Sequence, residues 1–233
     1  MFFPALMSQA QQVEPQFRVM FYNVENLFDT IDNPLKNDDE FLPHGSRHWD
    51  NYKFYKKIKH LSQVIIAAGE GDYPSVVGLC EIENQNVLES LLFHSPLSKS
   101  DYQIIHKESP DNRGIDVALL YRKNRFKPIF FEAIPVINPK DNKFRTRDIL
   151  YVKGIVGKDT VHFFVNHWPS KSGGIGVTKP LRALAALTLK QKTDSIFAAN
   201  SKANIIIMGD FNDEPGNKSI TETLGAANKT ETF

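Results

Sequence analysis

The sequence predicts a single α/β domain, and three observations carry that expectation. The chain has 233 residues, enough for one large domain or two small ones. From Phe17 onward, short apolar runs alternate with longer amphipathic stretches, and no fixed-period repeat or low-complexity linker interrupts them. Apolar residues make up 41% and charged residues 24% of the chain, which excludes disorder, collagen-like repeats and a coiled-coil rod. No apolar run approaches the roughly 18 residues of a membrane-spanning helix.

The first segment, Phe2-Phe3-Pro4-Ala5-Leu6-Met7-Ser8-Gln9-Ala10, is apolar and ends in small residues before Gln11-Gln12. It has the pattern of the end of an export signal without the basic start. Residues 1–15 are therefore expected to be a tail or residual export signal, favouring a secreted or periplasmic protein over a cytoplasmic one. The domain should begin at residue 16.

Phe17 to Val24 reads as the first strand. Asp32 to Arg47, with Pro34, Pro43, Gly45 and the acidic Asp38-Asp39-Glu40, reads as a surface loop able to rim a site. Phe54, Ile58, Leu61 and Ile65 recur at helical spacing, which describes an amphipathic helix opened near Asp50. Lys53, Lys56, Lys57 and Lys59 on its other positions read as a solvated face rather than a nucleic-acid patch. Val76 to Leu79, Val117 to Tyr121, Leu150 to Val156, Val161 to Val165 and Ile205 to Met208 are rich in Val, Ile and Phe and read as strands, several of them apolar on both faces and so expected to be buried. A second helix is marked by Leu181, Leu184, Ala185, Leu189 and Ile196, with Pro180 in its first turn. Gly173-Gly174-Ile175-Gly176 fits neither phosphate-binding glycine spacing and reads as a flexible loop.

Charge and cysteine content narrow the chemistry. Lys plus Arg number 28 against 27 Asp plus Glu, a net charge of +1, so affinity for phosphate must come from a local site. The single Cys80 excludes an intramolecular disulfide and a multi-cysteine zinc cluster. A metal would need oxygen ligands.

Such ligands gather where strands should end: Asn23, Glu25 and Asn26, then Glu81 and Glu83, then Asn166 and His167, then Asp210 and Asn212. Singly, an Asp or Asn after a strand is usually a turn residue. If the strands are neighbours, these groups converge on an open oxygen-rich site of the kind hard cations such as Mg²⁺ prefer. No Gly-x-Ser-x-Gly nucleophile motif competes with that reading.

The order of the motifs is more specific. Phe21-Tyr22-Asn23-Val24-Glu25-Asn26, Gly78-Leu79-Cys80-Glu81-Ile82-Glu83-Asn84, Arg113-Gly114-Ile115-Asp116-Val117-Ala118, Val165-Asn166-His167-Trp168-Pro169-Ser170-Lys171 and Met208-Gly209-Asp210-Phe211-Asn212-Asp213-Glu214-Pro215 follow one another. Together they resemble the endonuclease/exonuclease/phosphatase superfamily, the metal-dependent phosphoesterases that include DNase I, AP endonucleases, sphingomyelinases and inositol polyphosphate 5-phosphatases. The resemblance runs from about Phe17 to Pro215 and is similar to the bacterial branch opening Tyr-Asn-Val-Glu-Asn-Leu-Phe-Asp, here Tyr22 to Asp29.

The resemblance implies a four-layer α/β sandwich, with two mixed sheets packed face to face, helices outside and a site at the strand ends. Glu81 matches the family's principal metal-binding glutamate and Asn23 the asparagine beside it, with Glu83 as a competing ligand. Asp210 matches the aspartate that orients and activates water, Asn212 the asparagine donating to the phosphoryl oxygens, and His167 the histidine on the scissile phosphate. Arg113, Asn166 and Lys171 are the substrate-binding candidates. Arg145, Arg147 and Arg182 are weaker ones, as readily ordinary surface ion pairs.

The implied cofactor is Mg²⁺ or Mn²⁺, and the implied reaction is nuclease-like hydrolysis of a phosphodiester, with DNA or RNA as candidate partners. Two alternatives stand: action on a small phosphorylated metabolite or lipid headgroup, and a non-catalytic phosphate-binding module. The family pattern ends in a Ser-Asp-His motif, and no His follows Asn212 here. Residues 16–233 are accordingly expected to be a domain incomplete at its C-terminus, against the alternative of a short, degenerate member.

Overall fold

Val76, Val77, Leu79 and Cys80 are almost consecutive and all fully buried, so this strand must be covered on both faces. In the computed structural model, which describes residues 16–227, it is. The proposed export-signal segment, residues 1–15, lies outside the described residues.

One sheet has the strand order β1-β2-β4-β3, from β1 (Val19–Leu27), β2 (Val76–Ile82), β3 (Tyr102–His106) and β4 (Asp116–Arg122). The other has the order β5-β6-β7-β8, from β5 (Lys127–Ile134), β6 (Ile149–Val156), β7 (Asp159–His167) and β8 (Asn204–Asp210). Both sheets are mixed: β1 runs parallel to β2 and β7 parallel to β8, while the other pairs are antiparallel.

The two sheets face each other across Val76, Cys80, Val117, Leu119, Phe163 and Val165. Gly78 permits the close approach, since a Cβ there would lie 2.7 Å from Met208 Cε. The outer face of the first sheet packs Val77 and Leu79 against α1 (Asn51–Ala67) and α2 (Gln85–Phe93). Tyr151 and Phe164 of the second pack against Ala185 and Leu189 of α3 (Ile175–Ala199). This is the expected four-layer α/β sandwich. Among the described residues, no helix is long and apolar enough to cross a membrane.

Local signals explain most boundaries. Asp50 caps α1 by accepting from Lys53 N, and Asn84 caps α2 by accepting from Val87 N. α3 departs from expectation. It begins at Ile175, so Pro180 lies inside it and half of the proposed glycine loop is helical. Gly173 and Gly174, with φ of 87° and 107°, make the turn into it.

The parallel pairs place the site. β1, β2, β7 and β8 all end at the same end of the sandwich, with Asn23 opposite Cys80 and His167 opposite Asp210. Gly209, at φ 156°, leaves no room for a side chain because a Cβ would sit 2.4 Å from the Asn166 carbonyl oxygen. Gly209→Ala is expected to cost about 1–3 kcal/mol of stability through that backbone strain, read as a lowered denaturation midpoint at unchanged m-value.

Candidate active site

Two β-bulges aim the carboxylates. The β1–β2 register shifts between Asn23 and Leu27, and the β2–β4 register shifts between Cys80 and Ile82. Glu81 lies in the second bulge at φ 64°, with Glu25 and Asn26 at 54° and 61° and Asn212 at 49° across the cleft. Left-handed backbone at non-glycine residues is strained, and here it gathers at the strand ends that bear the candidate site.

The result is a tight group. Glu81, His167 and Asp210 each offer one ligand atom, and these atoms all lie within 4.8 Å of one another. Asn23 Nδ2 donates to Asp210 Oδ2 at 3.1 Å and to Glu81 Oε1 at 3.3 Å, so one amide bridges the two sheets. Its Oδ1 accepts from Glu25 N at 2.9 Å. The atom Asn23 presents to the carboxylates is therefore a donor, and the oxygen that a metal-ligand role requires is turned to backbone. Asp210 Oδ1 accepts from Asn212 N at 2.9 Å, while Asn212 Nδ2 donates to Trp168 O at 2.9 Å. An amide nitrogen carries two protons, so Asn212 keeps one for a further acceptor.

His167 is buried, with Nε2 3.7 Å from Glu81 Oε1. Burial, then the charges of Arg147 and Arg113, push its pKa down to about 2, so the ring is neutral at physiological pH and donates without adding charge. Glu83 does not compete for the site. Beyond the bulge it turns away and accepts from Asp29 N at 2.6 Å, and burial raises its pKa to about 8.

Three other candidates lie around this group. Asn166 is fully buried, donating to Met208 O and accepting from Trp168 Nε1, both at 3.1 Å, so it positions backbone and offers nothing to a substrate. Lys171 lies near Asp213, 4.0 Å away, rather than at the carboxylate pair. Arg113 is half-exposed, 3.9 Å from Asp111, and its charge reaches His167.

Two of the weaker arginine candidates are buried struts. Arg147 pairs with Asp111 at 3.1 Å and donates to His167 O and Trp168 O at 3.2 and 2.6 Å. Arg182 pairs with Asp213 at 2.8 Å and donates to Thr178 Oγ1 at 2.9 Å. Arg147 ties the Asp111 loop to the backbone at the end of β7 and Arg182 ties the Asp213 loop to α3, while Arg145 only closes its own turn on Asn142 O and Phe144 O. Asp111 and Asp213 are functional supports that sequence reasoning misses, since acidic residues in loops carry no signal of burial.

The Endonuclease/Exonuclease/phosphatase family matches residues 18–233. The chain belongs to that family. Its members are phosphoesterase hydrolases, and the superfamily is typically metal-dependent. No curated protein matches. Among solved structures, the human Nocturnin catalytic domain with bound sulfate aligns at 22% identity and TM-score 0.55, over 72% of this chain and 60% of that one. Truncated TDP2 of Caenorhabditis elegans aligns at 19% identity and TM-score 0.53, over 71% and 58%. The mannosyl-6-phosphatase Bt3783 of Bacteroides thetaiotaomicron aligns at 16% and TM-score 0.59, over 89% and 69%. Identities this low show the shared fold, and the chain spans about 60% of the length of the first of these structures.

Proposed function

We propose that this protein is a Mg²⁺- or Mn²⁺-dependent phosphoesterase that hydrolyses phosphodiesters in a nuclease-like manner. The observation that carries the reading is the convergence of Glu81, His167 and Asp210 from both sheets within 4.8 Å, in a chain of the phosphoesterase family.

The donor set suits a hard divalent cation: two carboxylates from opposite sheets, held together by one neutral amide. Glu81 would be the main residue holding the ion, which when bound would neutralise nonbridging phosphoryl oxygens and the leaving oxyanion. Asp210 orients a water in line with the scissile bond and takes its proton as the new P–O bond forms and the old one breaks. Asn212, through its free amide proton, and the neutral His167 donate to the phosphoryl oxygens as charge builds on them. Arg113, half-exposed at the rim, contacts phosphate through its fork of donors. Lys171 contributes a point charge farther out.

The test is hydrolysis of bis-p-nitrophenyl phosphate, plasmid DNA, RNA, inositol phosphates and mannose 6-phosphate with Mg²⁺, Mn²⁺ or EDTA. Turnover of diesters that stops in EDTA supports the proposal; turnover of monoesters alone replaces it with the phosphatase reading. In calorimetric titration with millimolar Mg²⁺, Glu81→Ala is expected to abolish binding and Glu83→Ala to leave most of it. Equal loss in both variants, or in neither, would show that Glu81 is not the main ligand.

A further inference from the structure

α1 carries Lys53, Lys56, Lys57, Lys59 and His60 and no acidic residue, a concentrated positive surface in a chain whose net charge is only +1. The sequence pattern alone assigns these lysines to solvent. The structure adds two things that a merely solvated face does not need.

The first is aromatic. Tyr52 and Tyr55 are 73% and 46% exposed on the same helix. Together with Lys56, Lys59 and His60 they line a shallow groove of about 550 Å³. Lys56 Nζ stands 5.9 Å from the Tyr52 ring centre. Among the described residues, neither Lys56 nor Lys59 has a carboxylate partner.

The second is continuity with the candidate site. Lys57 Nζ donates to the carbonyl oxygens of Glu25 and Asn26, two and three residues beyond Asn23. Asn51, the first residue of α1, accepts from Thr30 in the loop that follows β1. The helix therefore lies beside the end of β1 that bears the candidate site, with Lys57 turned toward that end and Lys56 and Lys59 on the exposed groove.

We infer that the exposed face of α1 is a binding surface for single-stranded nucleic acid, with Lys56 and Lys59 on backbone phosphates and Tyr52 and Tyr55 stacked against bases. This rests on the phosphoesterase reading and deepens it by naming a polymer rather than a metabolite as substrate. Phosphate contacts supply sequence-independent attraction, and base–aromatic stacking adds to it without reading sequence. A membrane is disfavoured as the occupant because interfacial helices bury Trp, Phe and Leu in the bilayer, whereas the apolar side of α1, Phe54, Ile58, Leu61 and Ile65, is buried in the protein.

The test is fluorescence anisotropy of a 5′-labelled single-stranded oligonucleotide, titrated in EDTA so that no cleavage intervenes. For Lys56→Glu/Lys59→Glu, affinity should fall at least tenfold. The slope of log affinity against log salt should shrink by about 1.4, or about 0.7 for each of the two phosphates no longer neutralised. Tyr52→Ala/Tyr55→Ala should weaken binding with the slope unchanged. Both variants should hydrolyse bis-p-nitrophenyl phosphate as the wild type does. Unaltered oligonucleotide affinity in both variants would overturn the inference, as would wild-type protein that sediments with phosphatidylserine vesicles but does not bind the oligonucleotide. Wild-type protein that binds the oligonucleotide yet never hydrolyses the small diester would count against the phosphoesterase reading and leave the surface standing.

Discussion

Asp210→Asn is expected to lower kcat for diester hydrolysis by about 10² or more, with KM little changed. The side chain keeps its volume, and its single amide oxygen can keep either the turn closed by Asn212 N or the bridge from Asn23 Nδ2, while the amide nitrogen faces the other donor. What disappears is the negative charge that, in the proposed reaction, orients the attacking water and receives its proton. An interaction made chiefly in the transition state shows itself as a loss in kcat, whereas an interaction made equally in the ground state would appear in KM. Steady-state kinetics at saturating metal decide between them. A variant with near wild-type kcat would remove Asp210 from the mechanism and leave it a structural partner of Asn23.

Asp210 is assigned by a motif, and its position bears on how much of the site is legible in the sequence. Residues whose role depends on strand order are legible. Once Val76 to Leu79 and Ile205 to Met208 are read as strands, Glu81 and Asp210 must lie at their ends; parallel pairing sets the end of β1 beside β2 and of β7 beside β8, and the packing of the two sheets brings the pairs together. Residues whose role depends on a local departure from regular structure are not. Glu81 and Glu83 are two apart and would share a face of a continuing strand, but the bulge at Glu81 depends on its pairing with β4 and sends Glu83 toward Asp29.

Two of the four edge strands, and one short helix, escape for a related reason. β5 exposes Ile129, Phe130 and Phe131 at about half their surface, and β3 is five residues at the other sheet's edge. Neither carries the two-sided apolar signature of a central strand. α2 is short, and its four buried residues, Val87, Leu88, Leu91 and Leu92, repeat over barely two turns. The buried arginines are hardest of all. Nothing in the neighbourhood of Arg147 or Arg182 announces burial, because the partners that make it tolerable, Asp111 and Asp213, lie 36 and 31 residues away, as the numbering shows.

That dependence on a distant partner makes the Arg182–Asp213 strut the site of the largest expected loss of stability. Both side chains are almost fully buried, at 1% and 4% exposure, and meet at 2.8 Å. Asp213 also accepts from Ser219 Oγ and from Asn217 Nδ2, which draws the chain after β8 into the π-helical turn Ser219–Leu224. Burial alone would raise the Asp213 pKa, but the hydrogen bonds from Ser219, Arg182 and Asn217 and the Arg182 charge outweigh it and hold the carboxyl below its ordinary value.

A carboxyl depressed in the folded state binds fewer protons there than in the unfolded chain. Its contribution is therefore complete above the unfolded pKa of about 3.9 and is lost as pH falls through the lower folded value. At neutral pH, Asp213→Ala leaves the Arg182 guanidinium buried without its counter-charge and is expected to cost about 3–5 kcal/mol. At about 2–4 °C per kcal/mol for a chain of this size, that is a fall in Tm of roughly 6–20 °C. Below pH 3 the gap between wild type and variant should narrow, because wild-type Asp213 is then itself becoming neutral. Arg182→Met/Asp213→Leu removes both charges together and should recover much of the loss, as replacement of buried ion pairs by apolar side chains often does. If the single and double variants melt alike at every pH, the strut contributes packing rather than charge.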